Sequence, residues 1–448
     1  MDTSEFIVGQ RWSALIRDVQ AQHKAAQKSA QPNGGLAPMV MPDTATNQLL
    51  RTKGRAVIAN VSNAMWLIEH IRGLIGCFVY DEFAHAIMID REINGGYLDE
   101  PRLLTEQDIT ATQCFLQKIK NGMPTVHKET VYQAIAAEAF KCEYHPVRDW
   151  LEEEKWDGTE TLPYLLSDYF GAEDTAYHRE IGRMFMISMV ARIYEPGCKV
   201  DHMLVLEGQQ GTLKSAACRV LAGGEKYFSD NLPPLDHKDS SIHLRGKWLI
   251  EISELHTFNR MADQAALKAF LTRQEEKYRP PHDRVEKVEP RSCVFIGTTN
   301  KHEYLKDETG GRRIWPVKTR KIDLDRLIED RPQLFAEAVH RYKAKEPWWP
   351  SVEFERQHIR PQQELRYDED PLQEQVMKWT SSHVEACAKD NKPAGFSLQN
   401  LLIHCFPGER LGRAEKNRVV AILERSGKWV RGPRAGKDGS TKWVKVEG

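Results

Sequence analysis

Hydrophobic positions along this chain follow two periods, and the places where the period changes divide it. Residues 64–75 carry apolar residues at helical spacing and run into the strand-like Cys77–Tyr80. Two more helical patterns cover 106–120 and 128–140, so residues 46–160 read as a small α-rich domain. Over 177–195, Ile181, Phe185, Ile187, Met189 and Val190 stand among polar residues, and the pattern stops at Pro196-Gly197, a helix with its terminator. Three runs then lose all alternation: Met203–Glu207, Trp248–Ile252 and Cys293–Gly297. Short, continuous apolar runs are what strands buried on both faces require, and the helical stretches between them predict an α/β core over 161–350.

After Trp348-Trp349-Pro350 the chain turns polar, which reads as a linker over 351–370. Helical patterns return at 371–388, 397–405 and 413–426, followed by the strand-like Trp429-Val430-Arg431 and Lys442-Trp443-Val444 around a Gly-rich turn. That order predicts a small winged-helix-like domain over 371–448. At the other end, a polar helix over 4–30 precedes Gln31-Pro32-Asn33-Gly34-Gly35, so residues 1–45 read as a mobile arm. There is no internal repeat.

A chain of 448 residues exceeds one ordinary core, which fits several domains. Lys plus Arg is 63 against 64 for Asp plus Glu, so the whole-chain field points to no nucleic-acid partner. The local balance differs: from Arg410 onward there are eleven Lys or Arg and four Asp or Glu. This basic segment, with Arg431, Arg434 and Lys437 near its Gly-rich turn, suits DNA; the alternative is a basic helix packed on the core. The eight cysteines form no CxxC pair and no zinc-spaced Cys/His cluster, which predicts free thiols in a reducing compartment and no structural zinc. No apolar run approaches membrane-helix length and the first residues lack a signal-peptide layout, so a cytoplasmic location is expected.

The chemistry concentrates where the first buried run ends. Met203–Glu207 leads into Gly208-Gln209-Gln210-Gly211-Thr212-Leu213-Lys214-Ser215 and then a plausible helix, the order strand, loop, helix. Glycines free backbone NH groups to surround a phosphate, and a helix N-terminus adds positive potential. Lys214 would then reach the terminal phosphates of ATP and Ser215 would hold Mg2+. Leu213 departs from the usual pattern, which has a second glycine immediately before the lysine. A side chain there predicts a strained loop and reduced turnover.

Two later strands add candidate catalytic groups. Lys247-Trp248-Leu249-Ile250-Glu251-Ile252-Ser253-Glu254 places carboxylates at and beyond a strand end, where Glu251 would hold the metal and Glu254 would polarise the attacking water, or the reverse. Taken alone, Glu251 reads more simply as a surface strand cap. Cys293–Gly297 ends in Thr298-Thr299-Asn300, and Asn300 would orient that water if the strands are neighbours; otherwise it is a turn residue. In Gly310-Gly311-Arg312-Arg313, two guanidiniums on a glycine hinge would reach phosphates, including those of a neighbouring subunit. The basic, Pro-rich loop with Lys277, Arg279, Arg284 and Lys287 suits a phosphate backbone, although Glu275, Glu276, Asp283, Glu286 and Glu289 dilute its charge.

The ordered set GQQGTLKS, WLIEISEL, FIGTTN and GRRIWPV resembles the virulence-associated E family, phage and mobile-element ATPases similar to superfamily 3 helicases. His145-Pro146-Val147-Arg148, Trp156-Asp157-Gly158, Pro196-Gly197-Cys198-Lys199, Lys238-Asp239 and Tyr304-Leu305-Lys306-Asp307 extend the resemblance over roughly residues 50–320. It implies an AAA+ type P-loop core with Lys214 and Ser215 as Walker A residues, Glu251 as the Walker B acid and Asn300 as the first sensor. It also implies a DNA hairpin at 277–287, and Arg312 or Arg313 as a finger inserted into the next subunit of a ring, of six by that analogy. The leading expectation is an ATP-driven helicase or origin-melting motor on single-stranded or forked DNA, with a separate primase or initiator as a further partner. A DNA-stimulated loader without unwinding, and a nucleotide-binding assembly module without hydrolysis, remain the competing readings.

Overall fold

A computed structural model of the chain describes residues 48–93, 96–233, 238–253, 261–279, 286–301, 303–305, 313–366, 372–389, 394–407, 412–434 and 441–446. The expected arm over 1–45 lies outside them. The chain forms two compact units, 1–366 and 367–448.

The first unit opens with helix α1 (Val61–His70), strands β1 (Phe78–Asp81), β2 (Ala86–Arg91) and β3 (Tyr97–Leu103), helices α2 (Glu106–Lys118) and α3 (Lys128–Ala139), and β4 (Glu143–Tyr144). The strands pair in the order β3-β2-β1-β4. The region expected to be α-rich also holds a four-stranded sheet, which carries α1 and α3; these bury Ala64, Leu67, Val131 and Ile135 against Phe78 and Ile89. The spacing concealed β3 because Tyr97-Leu98-Asp99-Glu100-Pro101-Arg102-Leu103 is polar and contains proline, which a strand tolerates at a sheet edge. Thr105 and Asp108 cap α2 reciprocally.

The central part runs through α4 (Pro146–Glu153), α5 (Ala176–Tyr194), β5 (Met203–Glu207), α6 (Lys214–Ala222), β6 (Phe228–Ser229), β7 (Leu249–Ile252), α7 (Met261–Leu271), β8 (Glu275–Tyr278), β9 (Lys287–Pro290), β10 (Val294–Thr299), β11 (Ile314–Lys318) and α8 (Leu324–Lys343). Five strands form one sheet in the order β11-β5-β10-β7-β6, and each neighbouring pair is parallel. Alternate residues explain the unbroken apolar runs. Leu204, Leu206, Leu249, Ile296 and Val317 join α5, α6 and α8 in one core. Met203, Val205, Ile250, Ile252 and Phe295 join Leu267, Phe270 and Leu271 of α7 in another. With helices on both faces, no face of a strand is left for polar residues.

β8 and β9 form an antiparallel hairpin whose base is tied to the core by charge. Buried Arg291 pairs with Glu276, which also accepts from Ser241 Oγ at 2.6 Å. Arg245 pairs with Glu289 at 2.6 Å, and Tyr278 Oη donates to the same carboxylate at 2.7 Å.

Residues 351–366 are not a linker. They are helical from Val352 to Glu364, bury Ile359, and Gln363 Nε2 donates to Ile314 O at 2.8 Å. Periodicity missed this because the segment is polar and meets the core through single residues.

The second unit comprises α9 (Leu372–Lys389), β12 (Gly395–Ser397), α10 (Leu398–Cys405), α11 (Arg413–Arg425), β13 (Trp429–Arg434) and β14 (Thr441–Lys445). Its sheet order is β12-β14-β13, and Val376, Phe396, Leu401, Val419, Leu423, Trp429 and Trp443 form its own core. No helix among the described residues is long and apolar enough to cross a membrane.

Candidate phosphate-binding site

The site lies at the carboxyl ends of the central strands. β10 pairs with β5 on one side and β7 on the other, so the ends of Met203–Glu207, Leu249–Ile252 and Val294–Thr299 come together although they are far apart in sequence. Residues 208–213 follow β5 and deliver the chain to the first turn of α6 at Lys214.

Two glycines of the loop have no substitute. A Cβ on Gly208 would stand 2.7 Å from Thr319 Oγ1, and Gly211 has φ +82°. Leu213 is the exception, a left-handed residue with a side chain, at φ 64° and ψ 20°. That conformation costs a non-glycine residue about 1–2 kcal/mol. Part of this is offset because Leu213 packs half-buried against the core, a contact on the order of 1 kcal/mol. Leu213→Gly is therefore expected to melt within a few degrees of the wild type and, if the loop hydrolyses ATP as the sequence suggests, to turn it over at least as fast. Leu213→Val, whose branched Cβ suits this region least, should lower both Tm and turnover. Thermal melting beside steady-state hydrolysis checks the pair, and a fast valine variant would show that loop strain is irrelevant.

Lys214 Nζ donates to Gly208 O at 2.9 Å, to Gln209 O at 2.8 Å and to Thr212 Oγ1 at 3.1 Å. The ammonium is thus folded over the loop, where burial lowers its pKa and the nearby Glu251 charge partly opposes the shift. Ser215 Oγ donates to Glu251 Oε1 at 2.8 Å, and Thr298 Oγ1 donates to the same oxygen. Glu251 is 1% exposed, so it is no surface cap. Burial raises its pKa against the pull of the two hydroxyls, and Asp230 adds to the rise. Its other oxygen, Oε2, is buried with no hydrogen-bond partner among the described residues. A buried carboxylate oxygen left unmatched carries a desolvation penalty that a cation would relieve. The donor set, one carboxylate beside one serine hydroxyl at a helix N-terminus, fits Mg2+ with a phosphate.

Asn300 directly follows β10 and is exposed at the same edge. Arg313 is elsewhere: it precedes Ile314, which pairs with Met203 at the opposite end of β5, so it does not reach this chain's own loop. It is half-buried beside His202, Trp315, Trp348 and Trp349 around a cavity of about 400 Å³. Glu254, Arg284, Arg312 and Lys437 lie outside the described residues, and nothing is described of the Arg434 side chain. Lys277, Arg279 and Lys287 are exposed on and beside the β8–β9 hairpin. Arg431 is exposed and engaged, pairing with Glu424 at 2.7 Å and lying 5.7 Å from the Trp443 ring centroid.

Sequence reasoning passed over three residues of the site. Thr298 was legible in FIGTTN but stood in the shadow of Asn300. Thr319 donates through its backbone N and its Oγ1 to Glu207 O, at 2.7 and 2.9 Å, and carries no motif signal. Asp230 follows β6, a strand of two residues, too short for any periodicity to register.

Residues 151–368 match the family described as the virulence-associated protein E-like domain. No curated protein matches the chain. Among solved structures, the apo structure of the NrS-1 C terminal region (305–718) is similar at 14% identity and a TM-score of 0.44, covering 83% of this chain and 96% of that chain. Two A form apo structures of the NrS-1 C terminal region have the same coverage and TM-score, at 14% and 13% identity.

Proposed function

We propose, for a chain that over residues 151–368 belongs to the virulence-associated protein E-like family, that it is an ATPase of the P-loop type which uses Mg2+ and ATP to drive a motor on DNA. The observation that carries this reading is the buried Oε2 of Glu251, without a partner among the described residues, on a carboxylate whose other oxygen is held by Ser215 and Thr298 beneath the loop. In this reading the backbone NH groups of 208–215 cradle the β-phosphate, Lys214 neutralises charge on the terminal phosphates, and Ser215 and Glu251 hold the metal. Asn300 orients the hydrolytic water.

The interposed strand β10 supports assignment to the AAA+ type, because it sets the polar edge of Thr298 and Asn300 between the phosphate loop and the metal acid. Arg313, remote from its own loop, suits a finger acting on a neighbour's nucleotide, which entails a ring, of six by family analogy. The hairpin bearing Lys277, Arg279 and Lys287 and the basic second unit, whose element order supports a winged helix, are the DNA-facing parts. The biological role that follows is helicase or origin-melting work in replication of a phage or mobile element, with a separate primase or initiator as a further partner.

The test is ATP hydrolysis by the purified protein with and without single-stranded DNA, beside strand separation on a forked substrate. DNA-stimulated hydrolysis with unwinding is the expected result. Hydrolysis without unwinding would leave the loader. Binding without hydrolysis would leave only an assembly module.

A further inference from the structure

The last residue of β5 is a buried acid that touches neither Lys214, Ser215 nor Glu251. Glu207 is 1% exposed, and its carboxylate is gripped by a fork: Arg366 Nε donates at 2.9 Å to Oε1 and 3.2 Å to Oε2, and Nη2 donates to Oε2 at 3.0 Å. Tyr304 Oη adds a bond to Oε1 at 2.8 Å. The next residue is Gly208, whose N donates to Thr299 O at 3.1 Å. The backbone oxygen of Arg366 in turn accepts from Tyr304 N and Leu305 N, both at 3.1 Å. Arg366 is also where the first unit ends and the chain passes into the second.

A buried ion pair is a poor way to gain stability, since well-packed apolar residues often serve as well or better. A planar fork does supply orientation, because two parallel donors fix the carboxylate and the backbone that bears it. Orientation is what a phosphate loop needs. Its NH groups must converge within a few tenths of an ångström, and a displacement of about 1 Å can cost roughly a hundredfold.

Resting on the reading of 208–215 as the nucleotide site, we infer that Arg366 is a positioning residue for the phosphate loop, acting through Glu207. It joins the loop's root to the segment after β10 and to the point where the chain leaves for the basic second unit.

The full-length protein is tested as Arg366→Met, Arg366→Lys and the double variant Glu207→Gln with Arg366→Met. Binding of a fluorescent ATP analogue with Mg2+, steady-state KM and kcat, and Tm are measured for each. Arg366→Met strands the Glu207 charge and should lower Tm by about 10 °C. The double variant removes both charges and should recover most of that loss. Arg366→Lys keeps the charge without the fork. In it and in the double variant the analogue's Kd and the KM should rise about tenfold, with a smaller change in kcat. Wild-type Kd and KM in both would overturn the inference and leave Arg366 a residue of stability alone. Failure of the wild-type protein to bind the analogue would instead overturn the nucleotide-site reading, and this inference with it.

Discussion

On the proposed ATPase reading, Lys214→Ala is expected to lose ATP turnover by at least about a hundredfold, while its Tm stays at or slightly above that of the wild type. The first half follows from charge. Phosphoryl transfer needs positive groups placed before the reaction begins, and deleting one such donor costs roughly 10²–10³ in rate. The second half follows from the resting geometry. The ammonium is held by two carbonyls and one hydroxyl of the loop, all local, and burial lowers its pKa. A base whose folded pKa is depressed is held ionised at a cost to the folded state throughout the neutral range, so its removal relieves the fold. Hydrolysis rates and thermal melting on one preparation decide the matter. Turnover above a tenth of wild type would remove Lys214 from the chemistry, and a large fall in Tm would make it a structural residue.

Glu251→Gln is expected to separate stability from activity in the same way through the acid. Gln keeps an oxygen for Ser215 Oγ and Thr298 Oγ1 but cannot ionise. The carboxyl's pKa is raised by burial above its ordinary value of 4.5. Below that ordinary value it is protonated in both the folded and the unfolded chain and costs nothing. As pH rises through 4.5 toward the raised folded value, the unfolded chain gives up its proton more readily, and the wild type loses stability. The glutamine variant has no such titration. Its Tm should match the wild type in acid and exceed it near neutrality.

If the proposed nucleotide site is right, magnesium and ATP are expected to reverse the order. A ligand held by the native state alone stabilises it by about 2.7 kcal/mol at a hundred times its Kd. The wild type should gain this shift and the glutamine variant should gain little, with kcat down by at least about a hundredfold. Melting curves from pH 4 to 8, with and without the nucleotide, show both halves. A wild type more stable than the variant at neutral pH without ligand would mean that Glu251 has a partner other than a metal.

Local signals made much of the site readable. The loop from Gly208 to Ser215, the acid at Glu251 and the amide at Asn300 sit at the ends of apolar runs, where a polar residue interrupts what burial demands. The second unit's helices were likewise visible, because their patterns repeat over enough residues to show a period, whereas the β8–β9 hairpin, with strands of four residues each, read as a basic loop and was implied by the family resemblance alone. Strands β3, β4 and β6 were not, being polar or only two residues long. The helical stretch over 352–364 was hidden because its composition is that of a linker.

By itself the sequence determined where runs of strand buried on both faces lie, which loop has the composition that suits a phosphate, and where positive charge collects. Periodicity and backbone chemistry act over a few residues, so a single chain displays them directly. Only the tertiary structure decided which strand lies between β5 and β7 and which oxygen of Glu251 stands without a partner. It alone set Leu213 in a left-handed conformation, carried Arg313 to the far end of the sheet, and brought Arg366 back across 159 residues to Glu207. Those outcomes depend on register and packing between segments distant in sequence, and no local pattern encodes a distance.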